Sequence, residues 1–196
     1  MIPARHRLSI GRSQFHQKLT LQQLSERFGV ALSTLSKMEL VQVSVSYEKL
    51  AAAARALGVD IAQLFTPAPN LIQTSSAQVQ PTVVSTTIVD APGYSTGNYD
   101  YHPMAGDFPG HSMTPMYARI FARELQQFED YIRHPGQEFA LVLSGRVRIQ
   151  FETGEAVSIG PQETAYFNSS VGHIYLAEGD EDEDADAEVM VVMSER

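Results

Sequence analysis

The chain has 196 residues, 43% hydrophobic and 19% charged, a globular balance that leaves room for two small domains, and its formal net charge is −9. It contains no cysteine, which excludes disulfide frameworks, zinc fingers and cysteine hydrolases and leaves His, Asp and Glu to carry any metal chemistry. No apolar run approaches the ~20 residues of a membrane span. The basic start, Met1-Ile2-Pro3-Ala4-Arg5-His6-Arg7, is not followed by an apolar stretch or a small-residue cleavage site, so a cytoplasmic protein with no membrane partner is expected.

Charge is divided along the chain. Residues 1–66 hold eight Lys/Arg against four Asp/Glu, and residues 67–196 hold six against nineteen, so the two parts carry +4 and −13. A basic first part can approach a polyanion. Between them, residues 67–82 contain no charge and three prolines, which reads as a linker between a domain over 1–66 and another over 83–196.

In chain order, residues 8–17 supply a first helix. Thr20 is a candidate N-cap for a second over 21–28, where Leu21, Leu24 and Phe28 recur at helical spacing and Gly29 ends the run. A third, over 32–39, places Leu32, Leu35 and Met38 on one face and Ser33, Thr34, Ser36 and Lys37 on the others. An alanine-rich fourth, over 47–57, stops at Gly58, and Ile61, Leu64 and Phe65 form a short closing helix. Five short helices with one tight glycine turn make a helix-turn-helix arrangement, whose second helix enters the DNA major groove.

After 83 the periodicity changes to short alternating or apolar runs. Candidate strands are 83–89, 116–123, 129–133, 139–143, 147–151, 156–159, 164–167, 173–177 and 189–193, which suits a sandwich or barrel. Residues 93–115, rich in Tyr, Gly, Pro and Met, read as a long loop or irregular hairpin. Residues 178–188 hold eight acidic side chains in eleven positions. That stretch reads as a solvated loop between strands, with a cation-binding or DNA-repelling loop as the sharper alternative.

The stretch from Leu19-Thr20-Leu21-Gln22-Gln23-Leu24 through Ser33-Thr34-Leu35-Ser36-Lys37 and Ala54-Arg55-Ala56-Leu57-Gly58 resembles the Xre/Cro-like helix-turn-helix family over about sixty residues. The resemblance implies a reading helix opening at Leu32, with Ser33, Thr34 and Lys37 facing bases and Gln22, Ser36, Ser46 and Lys49 near phosphates of a double-stranded operator. Ala31, Leu40, Val41 and Val45 depart from the family pattern, and Val41 in place of glycine implies a different turn. A helical domain kept only for dimerisation is the alternative.

His134-Pro135-Gly136-Gln137-Glu138, separated by six residues from Gly145, resembles the first cupin motif, H-x-H-x3-E-x6-G; Gly154 to His173 resembles the second. The expected fold is therefore two domains, an all-α helix-turn-helix followed by an all-β cupin, a double-stranded β-helix or jelly-roll barrel. By the resemblance, His134, Glu138 and His173 match three of four metal-ligand positions and Ile132 occupies the fourth. The three form either an incomplete divalent-metal site (Fe, Zn, Ni or Mn) or a hydrogen-bonded cluster without metal. Gln162-Glu163 stands where the family has Gly-Asp, and Gly172 where it has Pro. Strand parity puts Tyr175 on the face of His173, and Ala140 and Val142 on that of Glu138. Arg119, within a strand, either binds an anionic group in the pocket or lies on the outer face.

The favoured function is a DNA-binding regulator, acting as a homodimer, whose barrel binds a small-molecule effector near Arg119, Ile132, His134, Glu138, His173 and Tyr175. The alternative is a metal-dependent cupin dioxygenase or isomerase with a helical appendage. A scaffold that only dimerises is the third class.

Overall fold

The structure is a computed structural model and describes residues 81–106, 108, 110–179 and 186–194. The five expected helices lie outside the described residues, with Gln22, Leu32, Ser33, Thr34, Ser36, Lys37, Ser46 and Lys49; so do residues 67–80 of the linker and 180–185 of the acidic stretch. The chain divides into two compact units, the second formed by Ser95–Met104 and His111–Arg196.

Among the described residues nine strands run in chain order: β1 (Tyr94–Ser95), β2 (Tyr99–Pro103), β3 (Met113–Ile120), β4 (Gln137–Ser144), β5 (Arg146–Phe151), β6 (Ala156–Ile159), β7 (Thr164–Asn168), β8 (His173–Glu178) and β9 (Ala187–Ser194). They form a six-stranded sheet in the order β1-β2-β3-β9-β4-β7 and a three-stranded sheet in the order β6-β5-β8. Alternation builds the core between them. Along β4, Glu138, Ala140 and Val142 are buried, and along β9, Ala187, Val189, Val191 and Met193. Val147 and Ile149 supply the core positions of β5.

Two turns set the register around the site. Gly145, between β4 and β5, has φ +70°, and a Cβ there would come within 2.8 Å of the Ala187 Cα, so only glycine fits. The turn from Gly160 to Glu163, before β7, is closed by the Glu163 N–H on the Gly160 carbonyl at 2.9 Å, with Gln162 at φ +67°. Pro161 precedes the left-handed residue, the arrangement of a type II turn, and Gln162 stands where glycine is cheapest.

Two strand expectations are corrected. Residues 83–89 form no strand; a turn from Thr87 to Asp90 takes up their last part, and Val83 and Val89 are exposed, because alternation makes a strand only where a neighbouring strand pairs with it. Residues 129–133 contribute a single bridge, Ile132 to His173, since the Asp130 side chain takes the Tyr131 N–H and Arg133 folds back onto Asp130. Residues 93–115 hold β1, β2 and the start of β3, and β2 pairs antiparallel with β3, so of the two readings of this stretch the irregular hairpin is the one that stands. Tyr99 and Tyr101 of β2 are buried at alternate positions, and the Tyr99 hydroxyl donates to the Tyr175 carbonyl and accepts its N–H.

Candidate functional site

One segment and two strands bring the cupin-motif residues together inside the second unit. β4 presents Glu138 inward and β8 presents His173 and Tyr175. The segment before β4 carries Ile132 and His134. The His134 N–H donates to the Ser169 carbonyl at 3.0 Å, which ties that segment to the end of β7. Ile132 pairs backbone to backbone with His173, so its side chain shares the face of His173, where it supplies no donor atom.

Glu138 is the centre. Its Oε2 accepts from His134 Nε2 at 2.9 Å and lies 3.6 Å from His173 Nε2, and its Oε1 accepts from the Tyr175 hydroxyl at 2.5 Å. Glu138 is 3% exposed, His134 7% and His173 2%, so these bonds form out of water, where a charged acceptor most needs them. A carbonyl can only accept, so His173 donates from Nδ1 to Val171, 2.9 Å away. Burial opposes the Glu138 charge, yet the hydrogen bonds and positive charge of the two imidazoles outweigh it and lower the carboxyl to about 2. Burial, and then the Glu138 charge, push the Tyr175 phenol well above 10.

The donor set fits a divalent cation. His134, Glu138 and His173 each offer one ligand atom, all within 4.8 Å of one another, and two imidazoles with one carboxylate is the set that non-haem iron sites use. His173 already holds its Nδ1–H on a carbonyl, as metal-bound histidines do.

Three residues not singled out from the sequence complete the site. Phe167 of β7 lies opposite Glu138 and sets its ring 4.9 Å from that of His173. Ser169, fully buried, takes the His134 N–H on its carbonyl, and its Oγ has no hydrogen-bond partner among the described residues. Glu152, at the β5–β6 turn, accepts from the Gly172 N–H at 2.8 Å and from Arg133 Nε and Nη2 at 3.1 and 2.5 Å, so it clamps the residues that immediately precede both histidines. Gly172 permits this approach, because a Cβ there would lie 2.9 Å from the Glu152 carboxylate. A proline would also lack the N–H that Glu152 accepts. Arg119 is not in the cluster: it is exposed on β3 and pairs with Asp186 at 2.6 Å.

Residues 126–192 match the family model described as a cupin domain, and residues 14–64 match that described as helix-turn-helix. The chain joins an Xre-type helix-turn-helix to a C-terminal cupin. The His134–Glu138–His173 cluster lies within the residues that match the cupin domain. Among solved structures, an HTH_3 family transcriptional regulator from Vibrio cholerae superposes with a TM-score of 0.59 at 16% identity, over 95% of this chain and 92% of its own. The hydroxypropylphosphonic acid epoxidase of S. wedmorenis gives 0.48 at 18% identity over 94% of each chain, and an FeII HppE structure 0.49 at 18% over 94% and 95%. At these identities the likeness is one of fold. No curated protein matched the chain.

Proposed function

We propose that this protein is a cytoplasmic, DNA-binding transcription regulator with a reading domain over 1–66, a linker over 67–82 and an effector-binding cupin over 83–196. The observation that carries the reading is the pairing, in one chain, of a helix-turn-helix at 14–64 with a buried cluster of titratable groups in a cupin. Lys37 suits guanine O6/N7, with Ser33 and Thr34 beside it at base edges and Gln22, Ser36, Ser46 and Lys49 at phosphates.

The effector is a small polar molecule. Glu138 accepts hydroxyl, amine or amide groups, the Tyr175 hydroxyl oxygen accepts beside it, the imidazoles of His134 and His173 add polar nitrogens, and Phe167 and Ile132 supply apolar wall. A divalent ion, when bound by His134, Glu138 and His173, adds a Lewis-acidic point for an oxygen ligand; without one, an anionic effector meets the Glu138 charge unbalanced. Arg119 does not supply that balance, since it is committed to Asp186 at the surface.

The test is calorimetric titration of a thermal-shift hit into free protein and into the complex with its own promoter fragment. Coupling is reciprocal and typically about 5–150-fold, so affinities should differ between the two titrations by the factor that the ligand changes DNA binding. Equal affinities, or an unaltered titration after Glu138→Ala, would remove the barrel as sensor. Promoter DNA bound no better than random duplex would remove the regulator.

The two-histidine, one-carboxylate set also supports a second reading, a metal-dependent cupin enzyme. Stoichiometric iron, zinc, nickel or manganese, abolished by Glu138→Gln, together with turnover of a bound substrate, would favour it.

A further inference from the structure

We propose that Glu152, at the β5–β6 turn, is a positioning residue for the two imidazoles of the site: it holds the chain segments that carry His134 and His173 in one fixed relation. β5 ends with Phe151 in register with His173, which brings Glu152 beside Gly172. The Glu152 N–H donates to the Gly172 carbonyl at 2.8 Å, and the Gly172 N–H donates to Glu152 Oε1 at 2.8 Å. The other carboxylate oxygen, Oε2, accepts from Arg133 Nε at 3.1 Å and from Nη2 at 2.5 Å. One carboxylate thus binds the residue before His173 with one oxygen and the residue before His134 with the other. Arg133 is itself fixed, since its Nη1 donates to Asp130 Oδ2 at 3.0 Å and to the Tyr131 carbonyl at 3.1 Å.

Glu138 ties the same two histidines from inside, through its Oε2, 2.9 Å from His134 Nε2 and 3.6 Å from His173 Nε2. A ligand that engages that oxygen or those nitrogens competes with the inner tie. The Glu152 tie uses neither, so it stays in place when the site is filled. The Ile132–His173 bridge sets the spacing of the two backbones, and Glu152 adds a side-chain restraint one residue before each imidazole. Groups held in place before binding cost less to order on binding, which raises affinity without a new contact. Stability is not what this ion pair mainly supplies: the Arg133 and Glu152 side chains are 39% and 35% exposed, and pairs that exposed contribute little to folding. The inference rests on the reading of the cluster as a ligand-binding centre.

Nuclear magnetic resonance of the full-length chain with isotope-labelled histidine tests this, with cobalt(II) alone as the binding probe. The ring-nitrogen signals of His134 and His173, assigned through His134→Gln and His173→Gln, report the placement of each imidazole before any cobalt is added. Glu152→Ala should move both sets of signals and raise the cobalt dissociation constant about tenfold or more. Glu152→Gln keeps an amide oxygen for the Gly172 N–H but offers Arg133 no charge, so it should leave the His173 signals in place and move those of His134. Arg133→Ala should repeat that pattern. Arg119→Ala breaks a surface ion pair outside the cluster and should change neither readout. If Glu152→Ala fails to fold, Glu152→Gln and Arg133→Ala decide. Imidazole signals unmoved in the folded variants overturn the proposal, as does an equal response to Arg119→Ala. A wild type that binds no cobalt and gives no thermal-shift hit removes the ligand-binding reading, while the imidazole signals still decide the role of Glu152.

Discussion

Tyr175 and Glu138 are joined by a 2.5 Å hydrogen bond although they stand 37 positions apart on strands of different sheets. The bond closes the two sheets at the site. Its donor does not ionise near neutrality, since burial and the facing carboxylate hold the Tyr175 phenol well above 10. Tyr175→Phe keeps the ring and deletes the donor, leaving one Glu138 oxygen buried without that bond. A loss of about 1–3 kcal/mol is expected, read by urea unfolding at neutral pH. Stability unchanged within a few tenths would show that solvent satisfies Glu138 instead.

Acid should weaken the fold through Glu138. Its carboxyl is lowered to about 2 in the folded chain from an ordinary 4.5, so the folded state favours the ionised form. The stabilisation is complete above about 4.5 and is lost as pH falls through the folded value near 2, because the unfolded chain binds the proton first. Unfolding free energy should therefore drop between about pH 5 and pH 2, and Glu138→Gln should flatten that drop. A wild-type curve with the same slope as the variant's would assign acid sensitivity to other carboxylates.

Gly172→Ala should destabilise the site by about 1–3 kcal/mol through overpacking. The new methyl would sit 2.7 Å from the Tyr131 Cβ and 2.9 Å from the Glu152 carboxylate. Adding Glu152→Ala removes one of the two clashes, so the double variant should lose less than the sum of the single changes. Strict additivity in chemical denaturation would show that Glu152 moves aside without cost.

Gln162→Gly should stabilise the protein. A non-glycine residue at φ +67° carries on the order of 1–3 kcal/mol of backbone strain, and glycine costs ~0.4–1 kcal/mol in added freedom of the unfolded chain. The strain is the larger quantity, so a net gain near 1 kcal/mol is expected as a higher denaturation midpoint. A lower midpoint would mean that the Gln162 side chain contributes more than the strain removes.

The sequence by itself determined the family of each part and the identity of the cupin-motif residues, because spacing is a local property. His134, Glu138 and Gly145 lie within one short stretch, and the turn that needs a left-handed residue at Gly145 is built from adjacent positions. Alternation also announced β4 to β9, and parity correctly grouped Glu138 with Ala140 and Val142. Tertiary structure decided what depends on pairing between distant segments. Phe167 faces His173 and Tyr166 faces outward only because β7 pairs with β4 in one register, and a slip of one residue would exchange them. Arg119 is a surface ion pair because β3 aligns its outer side chains with those of β9. Glu152 reaches Gly172 and Arg133 across about twenty positions, a contact that no periodicity records. Tyr99 lends its hydroxyl to the Tyr175 backbone from a stretch whose sequence leaves loop and irregular hairpin both open. Local pattern states which positions alternate; cross-strand register states which face is inside and what each side chain meets.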